Sequence, residues 1–235
     1  MIWAVTERLG PEGKVMSATA QLDHSEFLSL PHSPLAREAI ELLTRSANAS
    51  ISNHSIRSYL FARLVAQARG FVEARDYDAE LLFCACILHD IGVTEAGSGK
   101  QRFEVDGADV AAELLTRHGI PAAQVDLVWQ AIALNTSPGI VERRGVVPAL
   151  TLAGVSLDFG FQAAFISDAT ASRIHEAYPR LSIGSALADA IAAQAGKSPQ
   201  NAPLFSASAQ LLGQRASASH LTEIERLARQ GRWGE

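Results

Sequence analysis

Leu81-Leu82-Phe83-Cys84-Ala85-Cys86-Ile87-Leu88 is an unbroken apolar run that ends on His89-Asp90-Ile91-Gly92. A helix apolar on all faces has to be enclosed by other elements, so this segment reads as a helix buried on nearly all sides. The run closes on an imidazole and a carboxylate. Burying both is costly unless something pairs with them, and a divalent cation pairs with both. The carbonyl end of a helix also carries partial negative charge, which favours a cation there.

The chain of 235 residues, 48% hydrophobic, has ample material for one sizeable core, and no composition break forces a second domain. Alanine and leucine outnumber the aromatic and β-branched residues that favour sheet. Net charge is −5 and no basic block occurs, which argues against nucleic acid or an anionic membrane as partner. No cationic leader precedes a long apolar stretch, and no window approaches the roughly 18 apolar residues of a membrane span. The expectation is a cytoplasmic protein acting on a small molecule. Cys84 and Cys86 project to nearly opposite sides of a helix and read as buried, unpaired thiols.

The expected fold is all-α, a single-domain helical bundle. Residues 1–32 read as an irregular N-terminal arm with a Gly10-Pro11-Glu12-Gly13 turn, 33–180 as the core, and 181–235 as C-terminal helices packing on it. Ser33-Pro34 is a helix start, hydroxyl cap followed by proline in the first turn. A second helix is expected from Ser50 or Ser52 to Ala68, with His54 on the inward face of Phe61 and Val65. Asp76 or Asp78 caps the third, which carries His89 and Asp90 in its last turn, with Gly92 as a left-handed stop. A polar loop from Thr94 to Asp106 leads to a helix over Ala108–His118. Pro121 opens the next, which ends at Asn135-Thr136. Pro148 to Phe159 carries Asp158 inward, and three further helices are expected near 168–177, 182–195 and 219–230. The Ile224, Leu227 and Ala228 stripe suits either a homodimer surface or packing on the same chain.

Two further inward residues can join the central pair: His54, 35 residues before His89, and Asp158, 68 residues after Asp90. Singly, each has an ordinary reading as a hydrogen-bonded core histidine or a helix-end carboxylate. Together, His54, His89, Asp90 and Asp158 form a set of two nitrogens and two oxygens that suits zinc, iron, manganese, nickel or cobalt, and geometry alone does not choose among them.

Longer motifs extend this set: Ser33-Pro34-Leu35-Ala36, Asn53-His54-Ser55-Ile56-Arg57-Ser58-Tyr59, Leu88-His89-Asp90-Ile91-Gly92, Arg102-Phe103-Glu104-Val105-Asp106-Gly107-Ala108-Asp109, Trp129 to Ser137, Gly154-Val155-Ser156-Leu157-Asp158 and Tyr178-Pro179-Arg180. Across about residues 33–180 the chain resembles the HD-domain superfamily of metal-dependent hydrolases, and within it the cyanamide-hydratase branch. The resemblance implies an all-helical fold, one zinc-type ion on His54, His89, Asp90 and Asp158, and addition of water across the nitrile of cyanamide. One position departs. Relatives typically read Leu-His-Thr-Ser where this chain has Leu134-Asn135-Thr136-Ser137, and asparagine can hydrogen-bond but cannot carry a proton as histidine does.

Around these ligands, Arg57 lies one helical turn from His54 and is expected to hold a ligating carboxylate or to grip substrate. Glu104 has two readings, a proton shuttle or a partner for Arg102. Thr136 and Asn135 are expected to orient the adding water or substrate. Lys100, Arg102 and Trp129 are candidate substrate contacts, although Trp129 also fits a core stripe, and His118 reads as a helix cap. Three functions compete: hydration or hydrolysis of a small carbon–nitrogen substrate, release of phosphate from a nucleotide or other monoester, and metal binding without catalysis.

Overall fold

The computed structural model describes residues 28–97, 99–217 and 221–235. The expected N-terminal arm with its Gly10–Gly13 turn, His24 and His220 lie outside the described residues. The described chain is helical throughout, as expected, and its only β-pairing is an isolated bridge between Glu73 and Tyr77.

Ten helices follow in order: α1 (Pro34–Ser46), α2 (Ala49–Ala68), α3 (Ala79–Leu88), α4 (Phe103–Arg117), α5 (Ala122–Ala133), α6 (Val146–Asp158), α7 (Asp168–Ala177), α8 (Ile183–Ala195), α9 (Ala207–Ala216) and α10 (Glu223–Gln230). Helix α3 is the central rod, with every residue from Leu81 to Leu88 at most 3% exposed. Helices α1, α2, α5 and α6 pack against it, and α4 pairs with α5. Ser33 caps α1 by accepting from the Ala36 amide at 3.0 Å. Asp78, not Asp76, caps α3, accepting from the Glu80 and Leu81 amides.

Several features differ from expectation. Helix α2 starts earlier because Asn48, not a serine, caps it through the Ile51 amide. Helix α4 begins at Phe103, five residues sooner than Ala108, because Phe103 is buried at its first position. Helix α9 falls between the helices expected near 182–195 and 219–230, where none was expected. Gly92 is not a left-handed stop; it sits in a short 3-10 turn, and a Cβ there would meet the Phe103 carbonyl oxygen at 2.0 Å. Its role is close approach of α4 to the end of α3.

The C-terminal helices pack on the same chain. Ile183, Leu187 and Ile191 of α8 form a second apolar cluster with Ile51 and Phe103, and Ala228 of α10 is buried. Helix α10 carries a full capping box between Thr222 and Glu225, and Glu225 is also paired to Arg215 at 2.9 Å. No helix among the described residues is long and apolar enough to cross a membrane.

Helices α2 and α6 touch backbone to backbone. A Cβ on Gly154 would meet the Ser58 carbonyl oxygen at 2.2 Å and the Ala62 Cβ at 2.8 Å. Gly154→Ala therefore forces the two helices apart and lowers unfolding free energy by about 1–3 kcal/mol. Gly213→Ala, inside α9 with nothing within 4 Å, gains about 0.5–1 kcal/mol. Urea titration of both variants checks the contrast.

Burial alone would raise the Glu225 carboxyl, but the Thr222 and Arg215 bonds outweigh it and hold it at about 2, below its ordinary 4.5. A depressed carboxylate stabilises the fold above its unfolded value, and that contribution is lost as pH falls through the folded one. The stability gap between wild type and Glu225→Gln should thus be full above pH 4.5 and close as pH falls towards about 2, measured by denaturation at stepped pH.

Candidate metal centre

Helix α3 ends at Leu88, and His89 caps it in helical conformation while Asp90 turns out of the helix at φ −106°, ψ 6°. The break puts the imidazole and carboxylate on one side, with His89 Nε2 3.0 Å from Asp90 Oδ2. Helix α2 brings His54 opposite: its Nε2 lies 3.2 Å from His89 Nε2 and 3.6 Å from Asp90 Oδ2. All three residues are buried, and these atoms form a group able to hold a metal ion.

The partners of the other ring nitrogens fix what these atoms can do. His89 Nδ1 lies 2.8 Å from the Cys86 carbonyl oxygen, and His54 Nδ1 lies 2.7 Å from Asp158 Oδ2. A carbonyl and a carboxylate only accept, so each Nδ1 carries the hydrogen and each Nε2 presents a lone pair. Two lone pairs and a carboxylate oxygen then face one another, and Asp90 Oδ2 has no hydrogen-bond donor. Three buried acceptors without a donor are unfavourable together unless a cation lies between them. For bonds of about 2.0–2.1 Å, tetrahedral donors stand roughly 3.4 Å apart, close to the spacing found. The residues therefore fit a small divalent ion with coordination positions left open.

The local electrostatics agree. Burial alone would raise Asp90, but His89 and then His54 hold it below the usual carboxylate range. Burial lowers His54 despite Asp158, while at His89 the Asp90 charge and the Cys86 carbonyl outweigh burial and push it upward.

Asp158 does not join that group. Its Oδ1 accepts from Arg57 Nε at 2.7 Å, and its Oδ2 accepts from Arg57 Nη2 at 2.8 Å and from His54. Arg180 Nη1 adds a bond to the Asp158 backbone carbonyl at 2.7 Å. Burial would raise this carboxyl, but Arg57 and His54 hold it far below the usual range. Asp158, expected as a fourth ligand, is placed against His54 Nδ1 and Arg57, behind the group of three facing atoms. Arg57, expected to hold a carboxylate or to grip substrate, holds the Asp158 carboxylate, with Nη1 donating to the Tyr178 and Pro179 carbonyls at 3.0 Å each.

Near the ligands, Asn135 Nδ2 reaches the His89 carbonyl at 3.4 Å. Next to it the Thr136 hydroxyl donates to Glu104 Oε1 at 2.6 Å, and Arg102 Nη2 donates to both Glu104, at 2.6 Å, and Thr136, at 3.1 Å. Glu104 thus pairs with both Arg102 and Thr136, and lies on α4, not on a loop. Lys100 is exposed. Trp129 is not brought to the site: its indole donates to Asp109 at 2.9 Å and lines an outer depression with Ala112 and Thr116. His118 caps α4 as expected and pairs with Glu38 at 2.6 Å. Both cysteines are free and buried, and burial pushes the Cys86 thiol up to about 12. A cavity of about 430 Å³ lies elsewhere, between Val65, Leu152 and Phe161. Arg180, quoted in the sequence only as part of the Tyr178-Pro179-Arg180 motif and given no role there, reaches Asp158 across 22 positions with no periodic signal.

The helical architecture and this ligand group define a metal-dependent enzyme of the HD type, and the chain belongs to the HD-domain family, which matches residues 51–194. That range contains all three candidate donors, Asp158 and all of helix α8 but its last residue. The chain is also 30% identical over 175 residues to two proteins of Saccharomyces cerevisiae, cyanamide hydratase DDI2 and cyanamide hydratase DDI3, covering 72% of this chain and 76% of each relative.

Asp158→Asn should keep one bound ion at an affinity about 10–100-fold weaker, because only the orientation of His54 is disturbed. Asp90→Ala should bind none. Chelator competition with metal analysis separates the two results.

Proposed function

We propose that this protein adds water across the carbon–nitrogen triple bond of a small nitrile-type substrate of the cyanamide kind, at a divalent ion, zinc first among candidates, held by His54, His89 and Asp90. The observation that carries this reading is the closed acceptor group: His54, His89, Asp90 and Glu104 are each at most 3% exposed, and Asn135 is 6% exposed. So enclosed a site suits a molecule of a few heavy atoms. When bound, the ion supplies a lowered water pKa and polarisation of a substrate atom.

The chain's own residues supply the rest. Asp158 and the Cys86 carbonyl hold the two rings with Nε2 inward. Thr136 holds a proton on Oγ1 that Glu104 can take or return, and Arg102, with its side chain 28% exposed, anchors that carboxylate from the rim. In the overall step, water oxygen bonds to the nitrile carbon and a water proton goes to nitrogen. The resulting imidic acid tautomerises to the amide, which for cyanamide is urea. No further reactant is required.

The similarity to two cyanamide hydratases supports this class. A phosphohydrolase reading needs free cations beside the ligands. Arg57 spends its donors on Asp158 and two carbonyls, and Arg102 is committed to Glu104 and Thr136.

The zinc-reconstituted protein should form urea from cyanamide and release no phosphate from nucleoside monophosphates. Glu104→Gln and Thr136→Val should each lower kcat by about 10²–10⁴-fold with metal content unchanged. Phosphate release without amide product would overturn the proposal, and stoichiometric metal without any turnover would leave a binding module.

A further inference from the structure

Asn135 follows α5 and is 6% exposed. Its Nδ2 faces the His89 carbonyl oxygen at 3.4 Å. That oxygen can only accept, so turning the amide round would set two acceptors against each other. Oδ1 is thereby fixed on the opposite side, buried and without a hydrogen-bond partner. A buried acceptor left unmade is costly, and the neighbours do not relieve it. The Thr136 hydroxyl donates to Glu104, and Arg102 Nη2 is divided between Glu104 and Thr136. Asp90 Oδ2, also without a hydrogen-bond donor, is answered by the cation that the two Nε2 lone pairs require. Asn135 Oδ1 is left for a different visitor.

Resting on the hydration reading above, we infer that Asn135 Oδ1 determines specificity by accepting a hydrogen bond from a substrate N–H. The substrate class is then a small molecule with an amino or amide N–H on the reacting carbon–nitrogen group, as in cyanamide. A hydrocarbon nitrile leaves the oxygen unmet. A phosphomonoester, bearing acceptors alone, brings its oxygens against it. Histidine at this position can present either a donor or an acceptor, whereas an asparagine anchored through Nδ2 presents only an acceptor. The departure from the family pattern at position 135 narrows recognition to one polarity.

The test compares cyanamide with acetonitrile, in which a methyl replaces the amino group at nearly the same size. Both are titrated calorimetrically into the zinc-reconstituted full-length protein and into Asn135→Leu, with metal content and urea formation read on the same samples. In wild type, cyanamide should bind about ten- to a hundredfold more tightly than acetonitrile. In Asn135→Leu that advantage should fall to within about threefold, with metal content unchanged. Equal binding of the two probes by wild type overturns the inference, and this comparison decides alone should the variant not fold. Loss of metal from Asn135→Leu also overturns it, since the oxygen would then serve the ion. Urea formation without binding preference removes the inference and leaves hydration standing. Preference without urea formation removes hydration and leaves the acceptor assignment.

Discussion

One buried carboxylate, Asp158, holds the arrangement of the centre. It sits at the last position of α6 and takes two bonds from Arg57 of α2, one from His54 of α2, and through its backbone carbonyl one from Arg180. A buried ion pair is seldom a net source of stability, because desolvation offsets most of the attraction. Its worth here is geometric. The negative charge on Asp158 keeps the hydrogen of His54 on Nδ1, which turns the opposite nitrogen into a donor of electrons towards Asp90.

The same logic runs through the rest of the site. The Cys86 carbonyl is free to orient His89 because α3 stops at Leu88, leaving carbonyls of its last turn without amide partners. The break is possible because Gly92 lets α4 approach, and Glu104, in the first turn of α4, meets Thr136 beyond α5. Backbone packing away from the facing donor atoms, such as the close approach of Gly154 to the Ser58 carbonyl, sets the distance between the helices that carry His54 and Asp158.

Much of this was legible in the sequence. The all-apolar run at Leu81–Leu88 announced the central helix, the phase of His54 with Phe61 and Val65 announced its inward face, and Ser33 and Asp78 marked true helix starts. The start of α4 was hidden because Arg102, Glu104 and Asp106 make that stretch look like a polar loop, although Glu104 and Asp106 are buried. Helix α9 is rich in alanine, serine and glutamine and has little apolar contrast for periodicity to detect. For Asp158 the pattern placed a carboxylate inward, but spacing along a chain cannot say which nitrogen of a histidine it meets. Arg180 belongs to no helix, so no period could link it to the centre.

The carboxyl-terminal end of the chain is stitched to the ligand helix. Trp233 donates to the Leu157 carbonyl at 2.8 Å and stacks on Phe61, and the Gly234 carbonyl accepts from Arg180 at 2.7 Å. A substitution at Trp233 or Gly234 is therefore felt at the Asp158 carboxylate, far earlier in the chain, through the Leu157 carbonyl and Arg180.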